Sequence, residues 1–309
     1  MLSSITVQKL DDTDKRIIRA LEKNAHMSSI KLSKLLDIHA QTIRRRVNKL
    51  IQNDLIRIQA VQIKRAKTSL TVPILLKVEN NAIVCTADLL ASQPEIGFVV
   101  LSVGAYNIVC IGWFETIEAY SKFLNTVLYP LKGVLEIDTS IGTEYRKYAF
   151  VKLPRGPRPT KTVMKPVDDI DMKIIAVLEK DAHQNSKRLA KSLNISAPTV
   201  RHRVNNLLKN NIIHIQAVPN LRIGKMISAF VVLNVDKGSL NRVADYLSSM
   251  DEVRGVLLVT GSYDIGIWAW FESIEAFSEF FNNHINPLEE VGKRIIMIVT
   301  EIRKWAHMW

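Results

Sequence analysis

The strongest constraint on the fold of this chain is an internal duplication. Residues 10–152 align with residues 167–309 without insertion or deletion, and 59 of the 143 aligned positions are identical. A register kept over so long a unit predicts one fold that is present twice. The length of 309 residues agrees with this prediction, because it exceeds the size of one ordinary hydrophobic core.

The stretch between the two copies, residues 152–166, contains four prolines and one glycine and has no apolar periodicity. We predict a basic, semi-rigid linker here. Such a linker can extend to about 50 Å. It therefore leaves open whether the two copies pair within one chain or between chains.

The positive charge of the chain is segregated. The formal net charge is +12, and residues 9–67 carry 15 Lys and Arg against 6 Asp and Glu. Residues 165–225 carry 11 against 5, whereas residues 68–151 carry 5 against 8 and residues 226–309 carry 7 against 11. Excess cations concentrated in the first part of each copy and in the linker favour a surface that binds a polyanion.

The first part of each copy has the pattern of three short helices. A first helix is predicted in "LDDTDKRIIRALEKNA", with Asp11 or Asp12 as N-cap, and a second in "SSIKLSKLLDI", with Ser28 or Ser29 as cap and Leu35 among its buried leucines. A third is predicted over residues 40–53. Two helices joined by a tight turn predict a helix-turn-helix, whose last helix can enter the major groove of DNA.

The third helix is amphipathic, because Ile43, Val47, Leu50 and Ile51 share one face. The side chains left to solvent are of the types that contact phosphates and bases. The predicted DNA-binding residues are Gln41, Thr42, Arg44, Arg45, Arg46, Lys49, Thr199, Arg201, His202, Arg203 and Asn206. The segments "LIRIQAV" and "IIHIQAV" that follow alternate like strands, and each predicts a wing or connecting arm.

The second part of each copy alternates strands and helices in the order βαββαβ, which predicts a ferredoxin-like domain. Its longest uncharged stretch, residues 96–114, has the length of a membrane span, but the second copy places Arg254 and Asp264 there. We therefore predict a buried hairpin and no membrane partner. Cys85 and Cys110 have no cysteine counterparts in the second copy and are predicted to be buried. No metal and no cofactor is predicted.

In this order of motifs, each copy resembles a complete member of the leucine-responsive regulatory protein / AsnC family of transcription regulators. The resemblance rests on "LDDTDKRII" and "VDDIDMKII", on "LSKLLDI…TIRRRVNKL" and "LAKSLNISAPTVRHRVNNL", and on the loops "VGAYN" and "TGSYD". The chain departs from the family at Asn107, where the loop usually has aspartate, and at Asp54 and Asn211, where a glycine usually precedes the exit strand. Members of the family are typically single units that dimerise, whereas this chain fuses two.

The resemblance implies the following fold and sites. The fold class is α+β, with two tandem units, each a winged helix-turn-helix followed by a ferredoxin-like ligand-sensing domain. The helix-turn-helix domains span residues 8–62 and 167–219, and the effector and oligomerisation domains span residues 68–151 and 225–309. An amino acid or similar small molecule is expected near Gly104, Tyr106, Asn107, Gly261, Tyr263 and Asp264.

The function predicted from these features is that of a cytoplasmic, homo-oligomeric, sequence-specific transcription regulator of double-stranded DNA, and not of an enzyme. Two alternatives remain open at this point. Sirohaem decarboxylases resemble the same two-part architecture and act as enzymes, but the strand parts here are acidic and contain only the histidines His284 and His307. A ligand-sensing module without DNA binding is the second alternative.

Overall fold

A computed structural model of the chain describes residues 10–25, 27–62, 70–148, 151–152, 167–182, 186–210, 212–219 and 226–305. The predicted linker (apart from Lys152), Asn211 and His307 lie outside these residues. The chain forms two compact units. The helical unit contains residues 10–62 and 167–219, and the sheet unit contains residues 70–152 and 227–305. Each unit takes one contribution from each copy, so the two copies pair within one chain.

The helical unit contains six helices and two strands among the described residues. They are α1 (Asp12–Lys23), α2 (Ser29–Leu36), α3 (Ala40–Gln52), β1 (Ile56–Gln62), α4 (Asp169–Lys180), α5 (Ser186–Leu193), α6 (Ala197–Lys209) and β8 (Ile213–Pro219). The predicted helices and the predicted arms are therefore present in both copies.

The helix boundaries of the helical unit follow from side-chain caps. Asp11 caps α1 in a capping box with Asp14, and Asp168 caps α4 in the same way with Asp171. Ser196 caps α6 through a hydrogen bond from the Thr199 amide. The turn before α3 is tight because Asp37 adopts a left-handed backbone conformation, and Asn194 does the same before α6.

The two helix-turn-helix domains are joined by an antiparallel ladder between β1 and β8. Gln59 pairs with Gln216, which is the equivalent residue of the other copy, so the ladder lies on a local two-fold axis. The Ala182 amide also donates to the Ile58 carbonyl oxygen of the other copy at 2.7 Å. Buried residues of both copies form one continuous hydrophobic cluster, so the two domains share a core.

The sheet unit has four helices and ten strands among the described residues. They are β2 (Leu70–Val78), α7 (Ile83–Ser92), β3 (Ile96–Gly104), β4 (Ile108–Phe114), α8 (Ile117–Phe123), β5 (Val134–Thr139), β6 (Ile141–Tyr148), β7 (Val151–Lys152), β9 (Ile227–Val235), α9 (Leu240–Ser249), β10 (Val253–Thr260), β11 (Ile265–Phe271), α10 (Ile274–Phe280) and β12 (Val291–Trp305). A π-helical turn continues α8 over Leu124–Leu128 and α10 over Phe281–Ile285. The hairpin predicted for residues 96–114 is confirmed as β3 and β4.

The strands form a single sheet in the order β5-β2-β4-β3-β12-β9-β11-β10-β6-β7, and a pairing of β2 with β6 closes it. Within each copy the order is that of a ferredoxin-like domain. The predicted order βαββαβ did not include a connection between the copies, yet β3 pairs with β12 and β6 with β10 across them. These pairings leave neither copy with an open edge at the junction.

The last strand of the domain differs between the copies. In the first copy, the predicted strand is broken at Ser140 into β5, which pairs with β2 of its own copy, and β6, which pairs mainly with β10 of the other. In the second copy, β12 is continuous and pairs with β9 and with β3. We call residues 70–148 the first half-sheet and residues 227–305 the second half-sheet.

Two details of the predicted core are wrong. Leu35 is 60% exposed, because it lies on the outer face of α2. Cys85 is exposed on α7, whereas Cys110 is buried among the helix-facing residues of the first half-sheet. Burial raises the pKa of the Cys110 thiol. The helices that the structure describes are too short or too polar to span a lipid bilayer.

Substitution of Gly104 by alanine should destabilise the sheet unit by about 2–4 kcal/mol. The residue has φ +148°, and a β-carbon there would overlap the carbonyl oxygen of Ile296 on β12. Urea unfolding followed by tryptophan fluorescence measures this, because Trp113 and Trp268 lie in the sheet unit. Gly238→Ala is the control, since a β-carbon at Gly238 meets nothing within 4 Å. Equal midpoints for the two variants would contradict the prediction.

Candidate nucleic-acid interface and effector loops

The third helix of each helix-turn-helix domain presents a polar face. In α3, Ile43 and Leu50 are buried, while Gln41, Arg44, Arg45 and Lys49 are exposed. In α6, Val200 and Leu207 are buried, while Thr199, Arg201, His202 and Asn206 are exposed. Thr42 is half-buried. Most residues predicted to contact DNA therefore lie on a solvent-accessible face, and their contact with DNA stays a prediction.

Arg46 and Arg203 differ from the other cations of these helices, because they are half-buried and held in ion pairs. The guanidinium of Arg46 donates to Asp11 at 2.6 Å and to Asp14 at 2.8 Å. Arg203 makes the same two contacts with Asp168 and Asp171, at 2.6 and 2.9 Å. Each arginine thus ties its recognition helix to the capping box of the first helix, which is a structural role that the sequence interpretation did not assign.

These ion pairs contribute to lowered pKa values of the two carboxyl groups that cap the first helices. The Asp14 amide and then the Arg46 guanidinium lower the pKa of Asp11, and the Asp171 amide and then Arg203 lower the pKa of Asp168. The spacing of 35 residues between cap and arginine occurs in both copies. Because the copies align without gaps, this spacing is not a signal by itself; the signal in the sequence is that both acids and the arginine are identical in the two copies.

The two recognition helices differ where the chain replaces long cations. Arg45 and Lys49 of α3 correspond to His202 and Asn206 of α6. The Asn206 amide and the His202 ring lie within hydrogen-bonding distance at 3.0 Å. The face of α6 is therefore less cationic and carries a preformed polar pair.

A cavity of about 300 Å³ opens beside α6. Its floor includes the buried side chains of Leu207 and Ile212. The residues that line it are Asp168, Asp171, Thr199, His202, Arg203, Asn206, Leu207, Asn210 and Ile212.

The loops between the hairpin strands meet at the junction of the two half-sheets. Gly104 pairs with Met297 of the other copy, and Gly261 lies against Ser140 of the other copy. Tyr106 and Tyr263 are 4% and 1% exposed. Burial, and then hydrogen bonds with Tyr263 and Glu136, raise the pKa of Tyr106. The predicted effector tyrosines are thus brought together by the pairing of the copies.

The surroundings of the two tyrosines are unlike. The Tyr106 hydroxyl lies 3.0 Å from Glu136 and 3.4 Å from Asp138. The Lys293 ammonium lies 5.3 Å from the centre of the Tyr263 ring. Since Lys293 is the equivalent of Glu136, the charge beside the loop changes sign between the copies.

Asn107 and Asp264 anchor their loops to the first strand of their own half-sheet. The Asn107 amide accepts from the Val78 amide at 2.9 Å and donates to the Val78 carbonyl oxygen at 2.6 Å. The Asp264 carboxylate accepts from the Val235 amide at 2.9 Å and from the Asn234 side chain at 3.4 Å. The two positions therefore share a fold but differ in charge.

Together, these features define a helix-turn-helix protein joined to a paired sensory domain. The family model described as winged helix-turn-helix DNA-binding matches residues 10–57 and 167–214. The model described as the Lrp/AsnC ligand binding domain matches residues 228–305. The chain belongs to the Lrp/AsnC family of helix-turn-helix transcriptional regulators.

Curated relatives of the chain are about half its length. An uncharacterised HTH-type transcriptional regulator of Pyrococcus furiosus is 27% identical over 143 residues, which cover 46% of this chain and 97% of that protein. The HTH-type transcriptional regulator Ptr1 of Methanocaldococcus jannaschii is 27% identical over 146 residues, which cover 46% of this chain and 98% of that protein. Each relative therefore corresponds in length to one copy.

A solved structure with a similar fold is that of the siroheme decarboxylase NirDL. It has a TM-score of 0.60 and 13% identity, and the match covers 96% of this chain and 93% of that chain. At this identity the likeness concerns the fold alone. Among the described residues, no group of three or more His, Cys, Asp or Glu side chains could hold a metal ion.

Lowering the pH should destabilise the helical unit, because Asp11 and Asp168 have lowered pKa values in the folded chain. A carboxylate of this kind stabilises the fold above its unfolded pKa of about 3.9, and the contribution is lost as the pH falls through the lower folded value. Between about pH 5 and pH 3, the stability should therefore fall. Circular dichroism at 222 nm during urea unfolding, compared with tryptophan fluorescence from the sheet unit, measures it.

A double variant, Arg46→Gln with Arg203→Gln, should weaken this pH dependence, since it removes the second cause of each shift. The matched control is Arg44→Gln with Arg201→Gln, which alters exposed cations of the same helices. An identical loss of stability with pH in both double variants and in the unaltered chain would contradict the role of the ion pairs.

Proposed function

We propose that this chain is a cytoplasmic DNA-binding transcription regulator that consists of two complete Lrp/AsnC units and acts as a dimer within one polypeptide. The observation that carries the proposal is the β1–β8 ladder, which places two helix-turn-helix domains around one local two-fold axis. A regulator that reads two half-sites needs this arrangement, because the half-sites of an operator are themselves related by a two-fold axis.

The charge distribution supports DNA as the partner of the helical unit. Arg44 and Arg45 on α3 and Arg201 on α6 are exposed. Guanidinium groups on such a face contact phosphates and guanine, and the phosphate contacts release counterions. The binding should therefore weaken steeply as salt increases.

The two half-sites of the operator should be unlike. Arg45 and Lys49 favour guanine or phosphate, whereas His202 and Asn206 form a neutral hydrogen-bonding pair that favours other base edges. Since the two helix-turn-helix domains share one hydrophobic core, each encounter with DNA presents the polar faces of both recognition helices. We propose an imperfect palindrome as the preferred site.

Selection of bound duplexes from a random pool tests this proposal. The unaltered chain should select an asymmetric site. Arg45→His with Lys49→Asn should make the selected site more symmetric, because both recognition helices then carry His and Asn at these positions. The double variant should also reduce the slope of log affinity against log salt by up to about 2 if both cations contact phosphates. The reciprocal variant, His202→Arg with Asn206→Lys, should raise that slope and again favour a symmetric site.

Selection of a symmetric site by the unaltered chain would contradict the proposal that the two recognition helices prefer different half-sites. A chain that shows no salt-dependent affinity for any duplex would contradict DNA binding itself and would favour a ligand-sensing module without DNA binding.

The sheet unit is proposed to bind a small-molecule effector, an amino acid or a similar compound, near Gly104, Tyr106, Asn107, Gly261, Tyr263 and Asp264. The loops that contain these residues lie at the junction of the two half-sheets, so a ligand there contacts both copies. Asp264 carries a charge that can pair with an ammonium group, and Asn107 does not. The two sites should therefore differ in affinity.

Replacing Asp264 by asparagine should lower the affinity for amino acids by about tenfold or more, because a charge-assisted hydrogen bond is lost. Asparagine is already tolerated at the equivalent position 107, so the variant separates charge from loop structure. Calorimetric titration with the free amino acids measures the effect, and Asn107→Asp is the reciprocal variant. Unchanged affinity in Asp264→Asn would count against this role.

The likeness to the siroheme decarboxylase fold raises a second candidate, an enzyme that acts on an iron tetrapyrrole. The structure of NirDL in complex with an iron-uroporphyrin III analogue has a TM-score of 0.59 to this chain. A visible absorbance band in the purified protein, or one that appears on titration with an iron porphyrin, would favour that candidate. The names of the curated relatives and the cationic heads favour the regulator.

Larger homo-oligomers are also part of the proposal, with the paired chain as the building block. Light scattering with and without amino acids would test whether chains associate and whether the effector changes their number.

A further inference from the structure

We propose that the junction between the two half-sheets is selective, so that a first half-sheet pairs with a second half-sheet in preference to another copy of itself. The junction is lined by buried residues on the sheet face opposite the helices, which we call the inner face. The copies differ there at two adjacent positions. Gly97 of the first half-sheet is equivalent to Arg254 of the second, and Phe98 is equivalent to Gly255.

Phe98 is a fully buried contact between the copies. Its ring centre lies 4.4 Å from that of Trp268 and 5.4 Å from that of Phe230, and both partners belong to the second half-sheet. The equivalents of these partners in the first half-sheet are Pro73 and Ile111, and the equivalent of Phe98 is Gly255. The aromatic cluster therefore forms only when a first half-sheet meets a second.

Arg254 is a buried cation on the inner face, 8% exposed, and its guanidinium lies 5.0 Å from the centre of the Trp270 ring. At the equivalent position in the first half-sheet, Gly97 leaves room for Trp113, whose ring a β-carbon there would overlap. The observed junction thus contains one Arg254. A pair of second half-sheets would bury two of these cations, and a pair of first half-sheets would bury none.

Other contacts across the junction hold the copies together without selecting between them. Arg146 of the first copy lies 3.7 Å from Asp245 of the second, and Arg303 of the second lies 3.5 Å from Asp88 of the first. Each arginine would meet an equivalent aspartate in a pairing of like copies as well. The same holds for the β1–β8 ladder, because Gln59 and Gln216 are equivalent residues.

A pair of second half-sheets would therefore lose the Phe98 ring and gain a second buried Arg254. A pair of first half-sheets would place two Phe98 rings against the smaller Pro73 and Ile111. Loss of a buried phenylalanine contact alone is worth more than tenfold in an equilibrium. The junction should therefore favour pairs of unlike copies over pairs of like copies.

The test uses the full chain with a protease site inserted in the linker, between residues 153 and 160. After cleavage, an isotopically labelled preparation is mixed with an unlabelled one near the urea midpoint of unfolding. The urea is then removed, and native mass spectrometry measures the masses of the fragment pairs. We expect pairs of unlike fragments, with labelled and unlabelled partners exchanged, to exceed the statistical ratio of 2:1:1 by at least about tenfold. A statistical distribution would overturn the proposal.

Two variants separate selectivity from stability. Phe98→Ala should reduce the excess of unlike pairs about tenfold. Phe114→Ala is the matched control, because Phe114 is equally buried but its aromatic contacts are Tyr120 and Phe123 of its own copy. It should lower stability and leave the partition unchanged. An equal change of partition in Phe98→Ala and Phe114→Ala would overturn the assignment to these residues.

Discussion

Backbone hydrogen bonding between the two copies is the constraint on which the rest of this structure depends. Each copy has strand edges that would be open if it were alone: β1 or β8 in the helical unit, and the outer strands of each ferredoxin-like order in the sheet unit. Unpaired edges invite association with other chains. Pairing between the copies covers β1 and β8 in the helical unit, and β3, β6, β10 and β12 in the sheet unit. The same pairing creates the shared helical core and the meeting point of the hairpin loops.

Much of this architecture follows from the sequence, because duplication and periodicity are signals that survive without coordinates. The capped helices, the arms and the hairpin at residues 96–114 were predicted from local pattern. The closure of the two half-sheets was not, because strand partners at an edge depend on residues more than a hundred positions apart. The break at Ser140 was not predicted either, because apolar residues continue at a regular spacing across it, at Ile137, Ile141 and Tyr145.

The candidate site was predictable in outline and not in its detail. Charge counting placed DNA contacts on the third helices, but it treated all arginines of those helices alike. Arg46 and Arg203 form ion pairs with capping-box acids. An arginine on a recognition helix can therefore stabilise the fold instead of contacting DNA. The change of charge beside the tyrosines also needed the structure, because Glu136 and Lys293 lie about thirty positions from the loops they flank.

Pairing within one polypeptide changes how the protein behaves at low concentration. Two separate subunits dissociate when they are dilute, whereas tethered halves meet at an effective concentration set by the linker. Occupancy of a target can then rise in proportion to the number of molecules in the cell instead of its square. In a tethered pair the two halves do not need identical sequences. Each recognition helix can therefore change to suit its own half-site, and no mixture of unlike subunits forms.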